Sequence, residues 1–98
     1  MAFSFFPFAI QIVKGHSMQP QLNEGERVVV YNWAYAFTQP KVGDVVVFDT
    51  NGKKYVKRIA VVAKSGELVV EGDNRDDSRK LPPVRRSMII GRVVGKYW

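Results

Sequence analysis

Two residues of this chain, a serine and a lysine, are of the types that together perform nucleophilic catalysis. Ser17 lies in the segment Gly-His-Ser-Met-Gln-Pro, and Lys57 lies in the segment Tyr-Val-Lys-Arg-Ile. A serine hydroxyl is a weak nucleophile until a base removes its proton. A lysine serves as that base only when its amine is neutral, which requires burial away from water. The pair therefore predicts attack by Ser17 on a carbonyl carbon, with Lys57 accepting the serine proton.

The residues around Lys57 alternate as they do in a strand that buries this side chain. Alternate residues of a strand share a face, so Tyr55, Lys57 and Ile59 lie together. Val56 and Arg58 point the opposite way. Because two large apolar neighbours flank Lys57, we expect its amine to titrate well below the pKa of a free lysine, which is about 10.4.

A histidine beside the serine offers a second candidate base. His16 directly precedes Ser17 in the chain. Neighbouring residues of an extended segment point to opposite faces, so the His16 ring should face away from the Ser17 hydroxyl. Lys57 therefore remains the predicted base.

Length and composition indicate a single domain over residues 1–98. Such a chain is long enough for one modest core and too short for two. Cysteine is absent and histidine occurs once, which excludes disulfides and thiolate metal sites and argues against a histidine-rich metal site. The net charge is +6, but the basic residues are scattered, which favours a solvated surface over nucleic-acid binding.

The amino-terminal residues 1–13 contain four phenylalanines and no charge. They are too short for a spanning helix, which needs about 20 residues, and Pro7 interrupts them. Two interpretations remain open, a core strand at 8–14 behind a frayed tip at 1–7, or an apolar tip that enters a bilayer interface. We expect weak, peripheral membrane association, with a cytoplasmic location as the alternative. The apolar side chains concerned are Phe3, Phe5, Phe6 and Phe8.

Short apolar or alternating runs predict an all-β fold. They are rich in valine and isoleucine and are separated by turn signals. Asn51-Gly52 is typical of a type I′ hairpin, and Ser65-Gly66 predicts a second, short one. Such a pattern indicates a small barrel or a folded-over antiparallel sheet. The predicted strands are residues 8–14, 27–31, 44–49, 54–63, 67–71 and 88–95.

Four sequence blocks, in their order along the chain, resemble the type I signal peptidases. This family consists of Ser/Lys endopeptidases that cut signal peptides from exported proteins. Its serine block reads G-x-S-M-x-P-x-L, its next block G-D-V-V-V-F, its lysine block Y-V-K-R-I, and its last block runs from G-D-N through D-S-R to I-G-R. The corresponding residues are 15–22, 43–48, 55–59, 72–74, 77–79 and 90–92. The segment between the lysine block and G-D-N is short, as in compact members of the family.

The resemblance implies how the serine and lysine would work. Ser17 is the nucleophile, Lys57 is the general base, and the backbone N–H of Ser17 is the main oxyanion donor. The substrate is a precursor protein or signal peptide, bound as an extended strand beside residues 11–16 and 53–57. No metal or cofactor takes part.

The resemblance also implies a supporting set of residues that do not touch substrate. Arg58 pairs with Asp73, and Asp77 and Arg79 brace the same region. In relatives a serine after the G-D-N step contacts the catalytic lysine. Ser78 fills that place only if the alignment slides.

Two alternatives to a signal peptidase remain. A self-cleaving Ser/Lys domain of the LexA-repressor type shares the S-M-x-P and lysine blocks, although the G-D-N to I-G-R ending argues against it. A catalytically inactive β-domain that binds a partner would keep the fold without the chemistry. Covalent labelling of Ser17 separates this second alternative from the enzymes.

Overall fold

Six β-strands account for almost all regular structure in the computed structural model, which describes residues 6–76 and 81–97. The all-β prediction is confirmed, and every predicted strand end lies within two residues of the observed one. The elements are β1 (Phe8–Ile12), β2 (Arg27–Tyr31), β3 (Val45–Thr50), β4 (Lys53–Val62), β5 (Leu68–Glu71), a 3-10 turn (Arg86–Met88) and β6 (Ile89–Tyr97).

The strands form one antiparallel sheet in the order β1-β2-β6-β3-β4-β5. The last strand therefore enters the middle of the sheet, between β2 and β3. Within the described residues β1 pairs only with β2, and β5 pairs with β4 and makes one further bridge from Leu68 to Val84. No strand joins β1 to β5, so the sheet is open. Register shifts in the β2–β6, β3–β6 and β4–β5 ladders mark irregularities of the kind that bend a sheet.

Both predicted hairpins are present. Asn51 and Gly52 have φ angles of 55° and 75°, the two positive values that a type I′ turn requires. They join β3 to β4 with Thr50 opposite Lys53. At the second turn the N–H of Ala63 donates to the carbonyl of Glu67 at 2.9 Å.

Buried side chains form one apolar cluster on each face of the sheet. The alternation within β3 shows the division, because Val46 and Phe48 belong to the first cluster and Val47 to the second. The first cluster consists of Ala34, Tyr35, Val46, Phe48, Ile59, Leu68, Val70, Val84 and Ile89. The second consists of Val13, Met18, Leu22, Val28, Val30 and Val47.

No helix in the described parts of the chain has the length and apolar character needed to span a membrane.

Replacing Phe48 with alanine should lower the free energy of unfolding far more than replacing an exposed phenylalanine with alanine. The Phe48 side chain is 0% exposed and stacks on Tyr55 with ring centroids 5.5 Å apart. Phe48→Ala leaves a cavity, so we expect it to lower the free energy of unfolding by about 3–5 kcal/mol. Phe37 is 93% exposed, and Phe37→Ala should change that free energy by less than about 0.5 kcal/mol. Urea denaturation measures both, and equal effects would contradict the described core.

Candidate active site

The β4 strand carries a buried lysine. Lys57 is 6% exposed, the only charged side chain classed as buried in the described residues. It lies opposite Val46 in the β3–β4 ladder. On the same face of β4, Ile59 belongs to the first cluster and Tyr55 packs against that cluster. The expected alternation along this strand is therefore confirmed. Burial disfavours the charged ammonium and favours the neutral amine that a base must have.

The segment that follows β1 presents Ser17. Gly15 turns the chain with a φ angle of 79°, which a residue with a side chain rarely adopts, and its N–H donates to Glu24 Oε2 at 2.8 Å. Met18 is 1% exposed and packs in the second cluster. The N–H of Leu22 donates to the Met18 carbonyl at 2.9 Å. Ser17 is thus anchored by the buried side chain of its own neighbour.

A turn after β5, here called the Gly72–Asn74 turn, packs against the Ser17 segment and forms hydrogen bonds with its backbone. The N–H of Asn74 donates to the Ser17 carbonyl at 2.8 Å, and Asn74 Nδ2 donates to the His16 carbonyl at 2.8 Å. A Cβ at Gly72 would lie 2.3 Å from the Ser17 carbonyl oxygen and 2.9 Å from Ser17 Cβ. Only glycine permits this approach. The G-D-N block predicts a role for Asp73 but none for Gly72, although a glycine just after a strand can mark a close backbone approach.

Ser17 and Lys57 line one cleft of about 670 Å³. One wall comes from the end of β1 and the segment after it, and the other from the first half of β4. Ser17 is partly exposed, and within the described residues its N–H and hydroxyl make no hydrogen bond. Both groups are therefore available to a bound molecule.

The His16 ring is occupied elsewhere. It is exposed, and its Nδ1 lies 2.9 Å from Gln19 Nε2. The N–H of Gln19 also donates to the His16 carbonyl at 3.2 Å. Because no hydrogen bond joins the ring to the Ser17 hydroxyl, the structure does not favour a Ser–His arrangement.

An ion pair links the lysine strand to the Gly72–Asn74 turn. Arg58 Nε and Nη2 donate to the two carboxylate oxygens of Asp73, each at 2.8 Å, and Arg58 Nη1 donates to the Gly43 carbonyl at 2.7 Å. The expected pair is present, with Arg58 on the face opposite Lys57. The Asp73 carboxylate raises the pKa of Arg58. Asp77, Ser78 and Arg79 lie outside the described residues.

Comparison with known proteins agrees with this arrangement. The sequence model of the family described as signal peptidase, peptidase S26, matches residues 1–69. A buried lysine and a partly exposed serine on an all-β domain are thus found in a chain that matches a peptidase family over most of its length. The chain belongs to this signal peptidase family, and the resemblance of the four blocks is confirmed at that level. The matched range includes Ser17 and Lys57 and ends before Gly72.

Three relatives illustrate the similarity. Signal peptidase I of Bacillus caldolyticus is 30% identical over 94% of this chain and 54% of its own length. Signal peptidase I of Bacillus licheniformis is 42% identical over 59% of this chain and 31% of its own length. Signal peptidase IB of Staphylococcus aureus strain N315 is 39% identical over 66% of this chain and 38% of its own length. The chain thus spans about half or less of these relatives.

Adding a methyl group at Gly72 should destabilise the protein. In Gly72→Ala the new Cβ meets backbone atoms of Ser17, so the Gly72–Asn74 turn must move away. We expect the free energy of unfolding to fall by about 1–3 kcal/mol, as for other overpacked sites. Gly95→Ala is the matched control, because a Cβ there meets nothing within 4 Å. Urea denaturation of both variants checks this, and indistinguishable stabilities would contradict the close approach.

Arg58 and Asp73 should show energetic coupling in a double-mutant cycle. The Arg58 side chain is 38% exposed and that of Asp73 is 16% exposed, so solvent screens part of their attraction. We expect a coupling of about 1–2 kcal/mol for Arg58→Met and Asp73→Asn. The Lys96–Glu26 pair, at 3.0 Å and more exposed, should show a smaller coupling in the same assay. Coupling near zero for Arg58 and Asp73 would show that the pair is only a surface contact.

Proposed function

We propose that this chain is a serine endopeptidase that removes signal peptides or propeptides from precursor proteins by means of a Ser17/Lys57 dyad. One observation carries the proposal. Ser17, whose hydroxyl makes no hydrogen bond within residues 6–76 and 81–97, and the buried Lys57 line the same cleft in a member of the signal peptidase family. A nucleophile and a base converging on one cleft are what acyl transfer needs.

The reaction begins when neutral Lys57 takes the proton of the Ser17 hydroxyl. The oxygen attacks the scissile carbonyl carbon, and the resulting oxyanion accepts a hydrogen bond from the N–H of Ser17. The carbon–nitrogen bond then breaks, and the Lys57 ammonium returns its proton to the leaving amine. Water, deprotonated by Lys57, hydrolyses the acyl-enzyme ester and frees Ser17. The absence of another acceptor for the Ser17 N–H in the described residues supports the oxyanion role.

The β4 wall of the cleft offers backbone groups to an extended substrate. The described part of β5 pairs with β4 only from Arg58 onwards, so the first half of β4 has an open edge. The N–H of Ile59 donates to the Asp44 carbonyl at 2.8 Å, on the β3 side. Because alternate residues direct their backbone groups to opposite edges, Lys54 and Val56 direct theirs away from β3.

The β1 wall offers the second open edge. The N–H of Val13 donates to the Glu26 carbonyl at 2.9 Å, on the β2 side, so the backbone groups of Ile12 point to the other edge. The Ile12 carbonyl now accepts a hydrogen bond from Gln11 Nε2 at 3.1 Å. A precursor segment that adds a strand between these two edges would find partners on both sides and pass Ser17.

We further propose that the protein associates peripherally with membranes through exposed apolar side chains of β1. Phe8, Ile10 and Ile12 alternate along β1 and are all exposed, as is Phe6 before it. Contiguous exposed apolar side chains at a protein edge mark a surface that binds an apolar partner. The cleft lies beside this row, since Ile12 also lines it. A precursor held at a bilayer surface would thus meet the cleft directly.

Removing the hydroxyl of Ser17 or the amine of Lys57 should abolish cleavage. We suggest Ser17→Ala and Lys57→Met, because methionine keeps the buried apolar volume. The controls Ser87→Ala and Lys64→Ala change exposed residues outside the cleft. The purified chain is incubated with a precursor that bears a signal peptide, and the cut is mapped by mass spectrometry. Activity above about a tenth of wild type in either site variant would exclude the dyad.

Liposome co-sedimentation tests the membrane part of the proposal. Vesicles of anionic phospholipid should bind the chain, and less so at high salt, because the +6 charge contributes. Replacing Phe6 and Phe8 with serine should weaken binding by several-fold. The matched control replaces Val61 and Val69, exposed on β4 and β5, with serine. Equal binding by both double variants would show that the β1 row is not the contact surface.

A further inference from the structure

Besides Lys57, three lysines line the cleft, and the proposed reaction gives none of them a role. Lys14, Lys53 and Lys54 line it and are exposed, whereas Asp49 is the single lining carboxylate. The described residues contain two ion pairs, and none of these three lysines belongs to either. Their charge is therefore not neutralised by a salt bridge within that part of the protein. An excess of one charge sign along a cleft attracts ligands of the opposite sign.

The Lys53 ammonium group contacts the ring of Tyr55. Lys53 Nζ lies 5.2 Å from the centroid of the Tyr55 ring, a cation–π contact. Tyr55 shares a face of β4 with Lys57. The Lys53 charge is thus held on the strand that carries the proposed base.

The three lysines lie on the same side of the proposed cut. The sheet order and its antiparallel pairings make β1 and β4 run in the same direction. Both cleft walls therefore reach Ser17 and Lys57 at their carboxyl-terminal ends. Lys54 and Lys53 precede Lys57 by three and four residues, or about 10 and 13 Å along a strand. Lys14 precedes Ser17 by three residues.

We propose that this cleft selects precursor segments that carry an acidic side chain three or four residues to one side of the cut bond. Lys14, Lys53 and Lys54 supply the selection. A substrate strand lying along both walls brings its third and fourth residues beside these ammonium groups. A carboxylate there gains an ion pair, and a lysine there is repelled. This inference rests on the proposed peptidase function, because that function defines the cut.

The test compares alanine-rich peptides that carry one glutamate or one lysine at each position in turn. Binding to the Ser17→Ala variant of the full chain is measured by fluorescence anisotropy, and cleavage by wild type defines the position of the cut. At low salt we expect the glutamate peptide to bind about tenfold more tightly than the lysine peptide at the selected positions, because the attraction and the repulsion each change the affinity by about threefold. The preference should fall below about twofold in 0.5 M NaCl, where charges are screened.

Charge reversal provides the matched comparison. Lys53→Glu combined with Lys54→Glu, in the Ser17→Ala background, should reverse the preference and favour the lysine peptide. Lys64→Glu combined with Lys41→Glu makes the same change in net charge at exposed residues outside the cleft and should leave the preference intact. A preference that is equal on both sides of the cut, or unaffected by the cleft variant, would overturn the proposal.

Failure of this inference and failure of the proposed function give different results. If wild type cleaves the peptides but the two series bind equally, or neither binds measurably, the charge selection is wrong and the peptidase function stands. If no peptide is cleaved but glutamate peptides still bind selectively and the cleft variant reverses this, the peptidase function is wrong. The charge selection of the cleft then survives as a property of a peptide-binding domain.

Discussion

Burial of a single amine is the constraint on which the rest of this structure depends. Removing an ammonium group from water disfavours its charged form and so favours the neutral amine. The sheet keeps Lys57 at 6% exposure by placing it between apolar neighbours on β4, opposite Val46. A shift of one residue in the β3–β4 register would turn Lys57 to the other face. The hairpin at Asn51-Gly52 defines that register, so a local turn determines where Lys57, the proposed base, lies.

Three consecutive residues connect the two halves of the site. In the Gly72–Asn74 turn, Gly72 packs on the Ser17 backbone, Asp73 binds Arg58, and Asn74 donates to the Ser17 carbonyl. Arg58 is the residue next to Lys57 in β4. The serine segment and the lysine strand are thus held against the same turn, although they are distant in sequence. Loss of either contact would change the distance between Ser17 and Lys57, and the proposed acyl transfer depends on that distance.

Local parts of this arrangement could be predicted from the sequence, and pairings between distant segments could not. The β2 range of residues 27–31 was predicted as observed, and the alternation around Lys57 indicated its burial, because strand periodicity and turn residues are local properties. The insertion of β6 between β2 and β3 is not visible in any local pattern. Gly72 directly after a strand indicates a close backbone approach, but no local pattern identifies Ser17 as its partner. The predicted strand at 8–14 ends earlier, at Ile12, since Gly15 begins the turn that presents Ser17.

The central claim is that Ser17 forms an ester with the acyl part of its substrate and that Lys57 enables this. The most direct measurement uses an activated peptide ester, which acylates a nucleophilic serine without requiring a good leaving amine. The reaction is quenched with acid, the intact mass is recorded, and the modified residue is located by peptide mapping. The account predicts one adduct, on Ser17, that is absent in Ser17→Ala and forms at least about a hundredfold more slowly in Lys57→Met. An adduct on another residue, or acylation of Ser17 at an unchanged rate without Lys57, would contradict it.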